Sequence, residues 1–483
     1  MKILFVASEV SPFAKTGGLA DVTGSLPKAL GKAGHDVRII MPLYQCVETG
    51  GFTIRKGRKG LEVPIGGRVE RGMLRQTTLD HIPVYLIEKK EYFHRPHLYG
   101  TPAGDYPDNA RRFAFFCRGV VNFLKRLDFR PDIIHCHDWQ TALVPAVIRY
   151  EHGDDPFFTR TALVYTIHNL AYQGIFDREA LLEMGLDESC FDIERLEYYG
   201  KINLMKGGIL TADVVNTVSE SYCREIRTEE MGCGLDGVLR RRERDLYGIL
   251  NGIDYDEWNP ATDPAIFKNY TAAALSGKAA NKKALQQALG LAQSADIPLL
   301  GMITRLSAQK GLDLLEKLLP KFRAAKLQLV ILGSGDERYM KMLSSYRKKG
   351  AENISIHLAF DQVLARRIYA ASDMFLMPSH YEPCGLGQMI ALRYGAVPIV
   401  RKTGGLRDTV FDARDGVREP NGFTFDDYTP QAFWDAVKRA LEAYADRKAW
   451  DRMVRSGMKC DYSWEHSAGE YVAMYERALK KVR

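Results

Sequence analysis

The sequence lacks any long apolar run. None of its segments approaches the roughly 20 apolar residues that are needed to span a bilayer. The N-terminal run from Ile3 to Ala7 is soon interrupted by Glu9 and is too short for a secretory signal peptide. The eight cysteines are scattered without a CxxC pair, which argues against a disulfide framework and a thiolate zinc site. We therefore expect a cytoplasmic protein with no membrane partner.

Basic blocks are also missing. The net charge of +7 is modest for 483 residues, and Lys and Arg are interspersed with Asp and Glu. A nucleic-acid-binding protein would more often show a basic stripe and a recognition module, and this sequence shows neither. We therefore expect no nucleic-acid partner, while the small positive excess weakly favours an anionic ligand.

Short β-branched runs that end in Gly, Asn, Asp or His alternate with helix-period segments throughout. Examples are DIIHCHD and ALVYTIHN in the first half and LQLVILGSGD and MFLMPS in the second. Continuous apolar runs predict strands buried on both faces, and their alternation with helices predicts doubly wound parallel sheets. We predict two α/β domains over residues 1–250 and 251–460. The last segment, 461–483, is a helix that either caps the second domain or returns to the first.

A lysine, a glycine pair and an aspartate occur twice where an apolar run gives way to a helix. KTGGLADV spans residues 15–22 and KTGGLRDTV spans 402–410. Gly17 and Gly18 would let backbone N–H groups approach an anion at a helix N-terminus, and Lys15 would add a positive charge. One such turn is as readily a solvated tight turn, but the recurrence favours two anion-binding turns. The GxGxxG and Walker motifs are absent.

Two further motifs combine charge with a strand end. TRLSAQKG places Arg305 and Lys310 in one turn, where they would suit adjacent phosphates, although a solvated basic loop is the commoner arrangement. With Lys15 they provide three cations, enough to balance a nucleoside diphosphate of about −3 charge. HYEPCGLGQ places Glu382 beside a helix start near Gly385, where it either binds substrate or stabilises the helix dipole.

Polar side chains also end two strands of the first half. Asp138 follows DIIHCH and is expected to bind sugar hydroxyls, with Trp139 as a stacking surface. His168 and Asn169 end ALVYTIHN and could each donate and accept hydrogen bonds. A buried structural histidine is the alternative for His168.

His135 and His137 lie on one face of the strand predicted from DIIHCH. A zinc site usually needs a third and a fourth ligand at recognisable spacing, and these two residues cannot converge on a metal locally. We predict that no metal is bound.

These motifs together resemble those of bacterial glycogen synthases and plant starch synthases. KTGGLADV, HDWQT, TIHNLAYQG, NGID, TRLSAQKG, EPCGLGQ and KTGGLRDTV occur in the family's order, nearly end to end. The resemblance implies a GT-B fold of two facing Rossmann-like domains with a deep cleft. It also implies retaining transfer of glucose from ADP-glucose to the non-reducing end of glycogen or another α-1,4-glucan, with release of ADP and without a cofactor.

The resemblance also implies roles for individual residues. Lys15 and Gly18 would face the diphosphate from the first domain, while Arg305 and Lys310 would hold it from the second. Phe360 falls where the family has an aromatic residue near the adenine. We assign catalysis to Lys15, His168, Arg305, Lys310 and Glu382, and substrate binding to Gly18, Asp21, Asp138, Trp139, Asn169, Asn251, Phe360, Cys384, Gly385, Leu386 and Gly387.

Three departures from related patterns stand out. Ala359 replaces a usual glycine, Gly387 replaces a frequent threonine, and Ile390 breaks the E-x7-E pattern of wider retaining GT-B enzymes. A GT-B enzyme that uses UDP-glucose and a catalytically inactive glucan-binding scaffold are the alternatives. The cations and Glu382 argue against the scaffold, and a nucleotide-sugar panel separates the two donors.

Overall fold

The computed structural model describes residues 1–101, 104–127, 129–348, 350, 352–416 and 419–482. The chain divides into two compact units. The first comprises Met1–Gly252 together with Trp464–Arg483, and the second comprises Ile253–Ser463. The sequence predicts domains over 1–250 and 251–460. The C-terminal helix, whose place the sequence left open, belongs to the first unit.

The first unit is built on a nine-stranded sheet. Its central strand, Lys2–Val6, is apolar and buried from Ile3 onward, and Ile3 aligns with Val37 on one side and Ile133 on the other. The strands are parallel except at one edge, where the last two pair antiparallel. In sheet order they are Leu246–Gly248, Val214–Thr217, Ala162–Ile167, Ile133–His137, Lys2–Val6, Asp36–Pro42, Ile82–Glu88, Arg68–Leu79 and Arg55–Ile65.

Helices connect these strands, as the alternating pattern predicts. Among the described residues, no helix of either unit has both the length and the apolar character needed to cross a membrane. The α-helices of the first unit are Gly18–Lys32, Gln45–Thr49, Lys90–Phe93, Asn109–Leu124, Leu143–Glu151, Ala180–Glu183, Leu204–Thr211, Glu220–Glu225, Asp236–Arg241 and Trp464–Val482. Short 3-10 helices cover Trp139–Thr141, Glu188–Cys190 and Glu243–Asp245. A small three-stranded sheet contains, in sheet order, Ile175–Phe176, Lys201–Asn203 and Glu197–Tyr198. A two-stranded sheet pairs Gly100–Thr101 with Gly104–Asp105.

The second unit is built on a six-stranded sheet that is parallel throughout. In sheet order its strands are Ile354–His357, Gln328–Leu332, Leu299–Ile303, Met374–Met377, Val397–Arg401 and Phe423–Phe425. Its helices are Ser276–Ala288, Leu312–Ala324, Glu337–Lys348, Gln362–Ala371, Gly387–Arg393, Gly404–Thr409, Pro430–Ala445 and Arg447–Lys459, with 3-10 turns at Ala308–Lys310 and Ala413–Asp415. The predicted α/β fold class is confirmed.

The helix Trp464–Val482 completes the core of the first unit. It packs against the helix Gly18–Lys32 and the strand Ala162–Ile167. Tyr471 and Tyr475 are fully buried in the same apolar cluster as the central strand. The first unit therefore draws its core from two stretches of sequence that the second unit separates.

Parallel strands place their carboxyl ends at one edge of a sheet, and ligands of open α/β sheets bind at that edge. In the first unit, the loops that follow Val6, His137 and Ile167 start there. In the second unit, the loops that follow Ile303 and Met377 do the same on neighbouring strands. The sequence-predicted site residues are concentrated in these loops.

Candidate active site

Glu9 organises the loop that leads into the first glycine turn. Its carboxylate is buried and accepts hydrogen bonds from the hydroxyls of Tyr99 and Thr16, at 2.7 and 2.6 Å. It also accepts the backbone N–H groups of Thr16 and Gly17, at 2.5 and 3.4 Å. Two N–H groups near the turn that we expected to face an anion are therefore held by a carboxylate of the protein itself.

The first glycine pair nevertheless keeps space open. A Cβ atom added at Gly17 or at Gly18 would meet no atom within 4 Å, and neither residue has a positive φ. Neither packing nor backbone conformation therefore requires glycine at these positions. A bare backbone in open space at the start of the helix Gly18–Lys32 suits the close approach of a ligand.

The second glycine pair, Gly404 and Gly405, is closely packed and has no open space around it. A Cβ at Gly404, where φ is +44°, would lie 2.0 Å from the carbonyl oxygen of Glu382, and one at Gly405 would lie 2.1 Å from that of Cys384. The Gly405 N–H donates to the Glu382 carbonyl at 3.1 Å. These glycines let two backbone segments pack together. Packing therefore accounts for this glycine pair, and the second anion-binding turn expected from the repeated KTGG stays a prediction.

Lys15 and Asp21 flank the first turn as an ion pair, with 2.5 Å between Nζ and Oδ1. The Lys15 side chain remains 42% exposed, so it can leave this partner. Burial raises the pKa of Asp21, and the neighbouring ammonium opposes that rise.

Asp138 ties together the ends of two strands. It follows Ile133–His137 with a φ of +56°, uncommon for a residue other than glycine, and its Oδ1 accepts the backbone N–H of His168 at 2.7 Å. Burial raises the pKa of Asp138 to about 7. The carboxyl group thus has a structural partner in addition to the substrate role predicted for it.

Trp139 is a core residue. It is 8% exposed and meets Phe113 and Phe176 edge to face, with ring centroids 5.0 and 5.7 Å apart. Gly174, with φ of +65°, lies against the indole, and a Cβ there would be 2.6 Å from Cε3. The ring is therefore not open as the stacking surface we expected.

His135, His137 and His168 lie closer together in the structure than their positions in the sequence suggested. His135 and His137 share a face of their strand with ring centroids 4.1 Å apart, and His137 Nδ1 lies 3.0 Å from His168 Nε2 on the neighbouring strand end. Burial lowers the pKa of His168 to about 3, so its ring is neutral at physiological pH. Within the described ranges, no group of three or more His, Cys, Asp or Glu residues is arranged to hold a metal ion.

Two asparagines of the first unit complete the predicted set. Asn169 is half-buried and its Oδ1 accepts the backbone N–H of Ala171 at 3.1 Å. Asn251 is buried, and its Oδ1 has no hydrogen-bond partner. That oxygen is an acceptor which the protein leaves unused.

Lys310 and Glu382 form the central contact of the second unit. The Lys310 ammonium donates to both carboxylate oxygens of Glu382, at 2.8 and 2.6 Å, and the Ser379 hydroxyl donates to one of them at 2.9 Å. Glu382 is 5% exposed. The two residues lie in loops that follow adjacent strands, and Arg305 is exposed in the same turn as Lys310.

The turn after Glu382 leads into the helix Gly387–Arg393, which starts two residues later than the start near Gly385 that the sequence suggested, with Leu386 as its N-cap. Gly385 has φ of +74°. The Gln388 amide fixes the turn by donating to the carbonyls of Cys384 and Gly385, at 3.1 and 2.8 Å.

Gly387 and Phe360 have contrasting surroundings. A Cβ at Gly387 would lie 3.3–3.4 Å from Met377, Phe375 and Tyr369, so a larger residue would crowd the core. Phe360 is 80% exposed, and its ring is available to stack on a planar group.

Comparisons with known proteins agree over the whole chain. The family described as starch synthase catalytic domain matches residues 2–241, and glycosyl transferases group 1 matches 290–456. Glycogen synthase from Geotalea daltonii is 65% identical over 481 residues, covering 100% of this chain and 99% of that protein. Glycogen synthase 2 from Geobacter sulfurreducens is 59% identical over 478 residues, covering 99% of both.

Two solved structures are similar. The catalytic domain of starch synthase IV from Arabidopsis thaliana, bound to ADP and acarbose, has a TM-score of 0.93 and 37% identity and covers 99% of each chain. A sucrose-phosphate synthase from Thermosynechococcus elongatus shares the fold alone, with a TM-score of 0.62 and 16% identity over 99% of each chain.

The two glycine pairs should respond differently to alanine. Gly405→Ala forces the Cys384 backbone to shift and should lower the free energy of unfolding by about 1–3 kcal/mol. Gly18→Ala meets no atom and lies in a helix, so it should change stability by less than about 1 kcal/mol. Urea unfolding of both variants checks this, and equal losses would contradict the difference between the turns.

Ionisation of Asp138 should lower the free energy of unfolding as pH rises. Because burial raises its pKa from 3.8 to about 7, the folded chain keeps a proton that the unfolded chain releases between these values, so stability is lost as pH rises through about 7. Asp138→Asn keeps an amide oxygen for the His168 N–H and cannot ionise. Its stability relative to the native chain should improve by about 4 kcal/mol from pH 4 to pH 8.

Urea unfolding across that pH range measures the difference. Asp154→Asn, at an exposed position, is the control for loss of one carboxylate. An Asp138→Asn difference that stays constant with pH would contradict the assigned cause.

Proposed function

The chain belongs to the glycogen synthase and starch synthase family, and on that basis we propose that it extends an α-1,4-glucan with glucose taken from ADP-glucose. Its activity is that of a glycogen synthase, a glucosyltransferase that uses a nucleotide sugar and a glucan. The donor, the stereochemistry and the roles of individual residues are the parts that we propose. The main observation in support of this proposal is the contact between Lys310 and the buried Glu382, in loops that follow neighbouring strands.

ADP-glucose is the donor that the residues favour. The related starch synthase IV was solved with ADP bound. The exposed ring of Phe360 provides a stacking surface for an adenine, and Arg305 and Lys310 provide charge for the phosphates. Gly18 offers an uncovered backbone at a helix start for the same diphosphate.

Charge in the ligand-free protein is more nearly balanced than a count of cations suggests. Lys15 is paired with Asp21 and Lys310 with Glu382, so two of the three cations are already matched to a carboxylate of the protein. We propose that the diphosphate draws Lys310 from Glu382. The carboxylate then keeps the Ser379 hydroxyl and becomes an acceptor for a sugar hydroxyl.

We propose that transfer retains the α configuration by attack on the face that ADP leaves. The bond from C1 to the phosphate oxygen breaks with its electron pair on the phosphate, while the acceptor 4-hydroxyl oxygen bonds to C1. The hydroxyl proton passes to the departing phosphate oxygen. Lys15, Arg305 and Lys310 stabilise the charge on the leaving group, a role that makes a metal unnecessary in this proposal.

His168 supports this step as a neutral group. Burial lowers the pKa of its ring to about 3, so it acts through hydrogen bonding and its backbone carbonyl and not as an imidazolium. Asp138 holds its backbone N–H and thereby sets its position.

A donor panel tests the proposed function. Release of ADP from ADP-glucose in the presence of glycogen should exceed release of UDP from UDP-glucose by at least about tenfold. EDTA should leave the rate unchanged. Equal rates with both donors would contradict the donor assignment, and a lack of glycogen-dependent release with either donor would indicate the inactive scaffold.

Lys310→Gln tests the role of the ammonium. The kcat should fall at least tenfold, equivalent to about 1.4 kcal/mol of transition-state stabilisation. Lys402→Gln is a matched control, since that lysine pairs with Asp415 at the second glycine turn and should leave kcat within about twofold of native. A raised KM with an unchanged kcat for Lys310→Gln would show that the lysine only binds.

A further inference from the structure

Three histidines form a buried line that ends at His168. His135 and His137 are fully buried on the strand Ile133–His137, and His168 follows the neighbouring strand with 8% exposure. The rings of His135 and His137 are 4.1 Å apart, and a hydrogen bond of 3.0 Å joins His137 Nδ1 to His168 Nε2. Burial lowers the pKa of all three, so each ring is neutral and carries one proton.

The hydrogen bonds at the far end assign the proton of His135. The Thr166 hydroxyl donates to Asn216 Oδ1 at 2.6 Å, because that amide oxygen can only accept. The Thr166 oxygen must therefore accept the hydrogen bond of 2.6 Å from His135 Nε2. His135 Nδ1 is left to accept from the Tyr475 hydroxyl at 2.8 Å. His135 thus carries its proton on Nε2 and uses both nitrogens within the core.

The surroundings of His137 assign the next proton. Its Nε2 is buried and has no hydrogen-bond partner. A proton on that nitrogen would be a buried donor without an acceptor, and such orphan N–H groups are rarer than underused acceptors. The proton therefore sits on Nδ1, where it is donated to His168 Nε2.

We propose that His137 is a positioning residue that holds His168 in the tautomer with its proton on Nδ1. With its Nε2 engaged as an acceptor, His168 has one donor left, the Nδ1–H group, to offer a sugar hydroxyl. A substrate group that can only donate a hydrogen bond would face this Nδ1–H donor and would find no acceptor there. The assignment rests on the role of His168 given under the proposed function.

The tautomer can be measured directly in the full-length protein. Long-range proton–nitrogen correlation spectra of the ¹⁵N-histidine-labelled chain report which nitrogen of each of its 11 histidines is protonated. The His168 signals are identified by their loss in His168→Gln. We expect His168 to be protonated on Nδ1 and His137 likewise. A proton on Nε2 of His168 would overturn the proposal, whatever the activity of the enzyme.

Kinetics of two His137 variants test the consequence for catalysis. His137→Asn keeps an N–H donor near the place of Nδ1, whereas His137→Leu removes it. His137→Leu should lower kcat at least about tenfold with a smaller change in the KM for ADP-glucose, and His137→Asn should recover most of that loss. An unchanged kcat in His137→Leu, or equal losses in both variants, would refute the positioning role.

Tyr475→Phe is the matched control, because it removes a hydroxyl from the far end of the same network without touching His168. It should leave kcat within about twofold of native. A loss equal to that of His137→Leu would show that the whole core, and not the tautomer, is responsible. If His168→Ala is itself fully active, the proposed role of His168 fails, while the spectra still decide the tautomer.

Discussion

A carboxylate that is almost wholly out of water must be balanced by charge and hydrogen bonds at close range, and Glu382 imposes this requirement on the second unit. Lys310 supplies the charge and Ser379 a hydrogen bond. Gly311, with φ of +75°, lets the turn after Lys310 approach the Pro378 carbonyl, where a Cβ would lie 2.1 Å from the oxygen.

The second glycine pair, in the loop after the strand Val397–Arg401, also supports the position of Glu382. Gly404 and Gly405 pack against the backbone of Glu382 and Cys384. Turns after three neighbouring strands therefore meet around one acidic side chain. A side chain at any of the three glycines would push this junction apart, and the pairing of Lys310 with Glu382 would loosen with it.

The sequence predicts those parts of the fold and site that local pattern controls. Continuous apolar runs predicted buried parallel strands, and residues directly after them, such as Asp138 and His168, lie at the strand ends where they were expected. Spacing within the chain did not predict close approach between segments. The two KTGG repeats look alike in sequence, yet open space surrounds one and the backbone of another turn fills the other. Trp139 was misread for the same reason, because Phe113, Phe176 and Gly174 cover it from distant segments.

Glu9 is a site residue that the sequence analysis missed, although the sequence carries a signal for it. A charged residue three positions after a largely buried strand has to be exposed or paired, and the Thr and Gly residues that follow provide the hydroxyl and N–H groups to pair it. Its Tyr99 partner is far along the chain and carries no local signal. The hydrogen bond between His137 and His168 is likewise visible only once the two strands are side by side.

The placement of Trp464–Val482 in the first unit bears on how the protein is made. A ribosome synthesises the whole of the second unit before it releases this helix, so the first unit must wait with one side of its core uncovered. Tyr475, which gives His135 its hydrogen-bond donor, arrives in that last stretch. The hydrogen-bonded line behind His168 therefore lacks its far-end donor until the second unit has been translated.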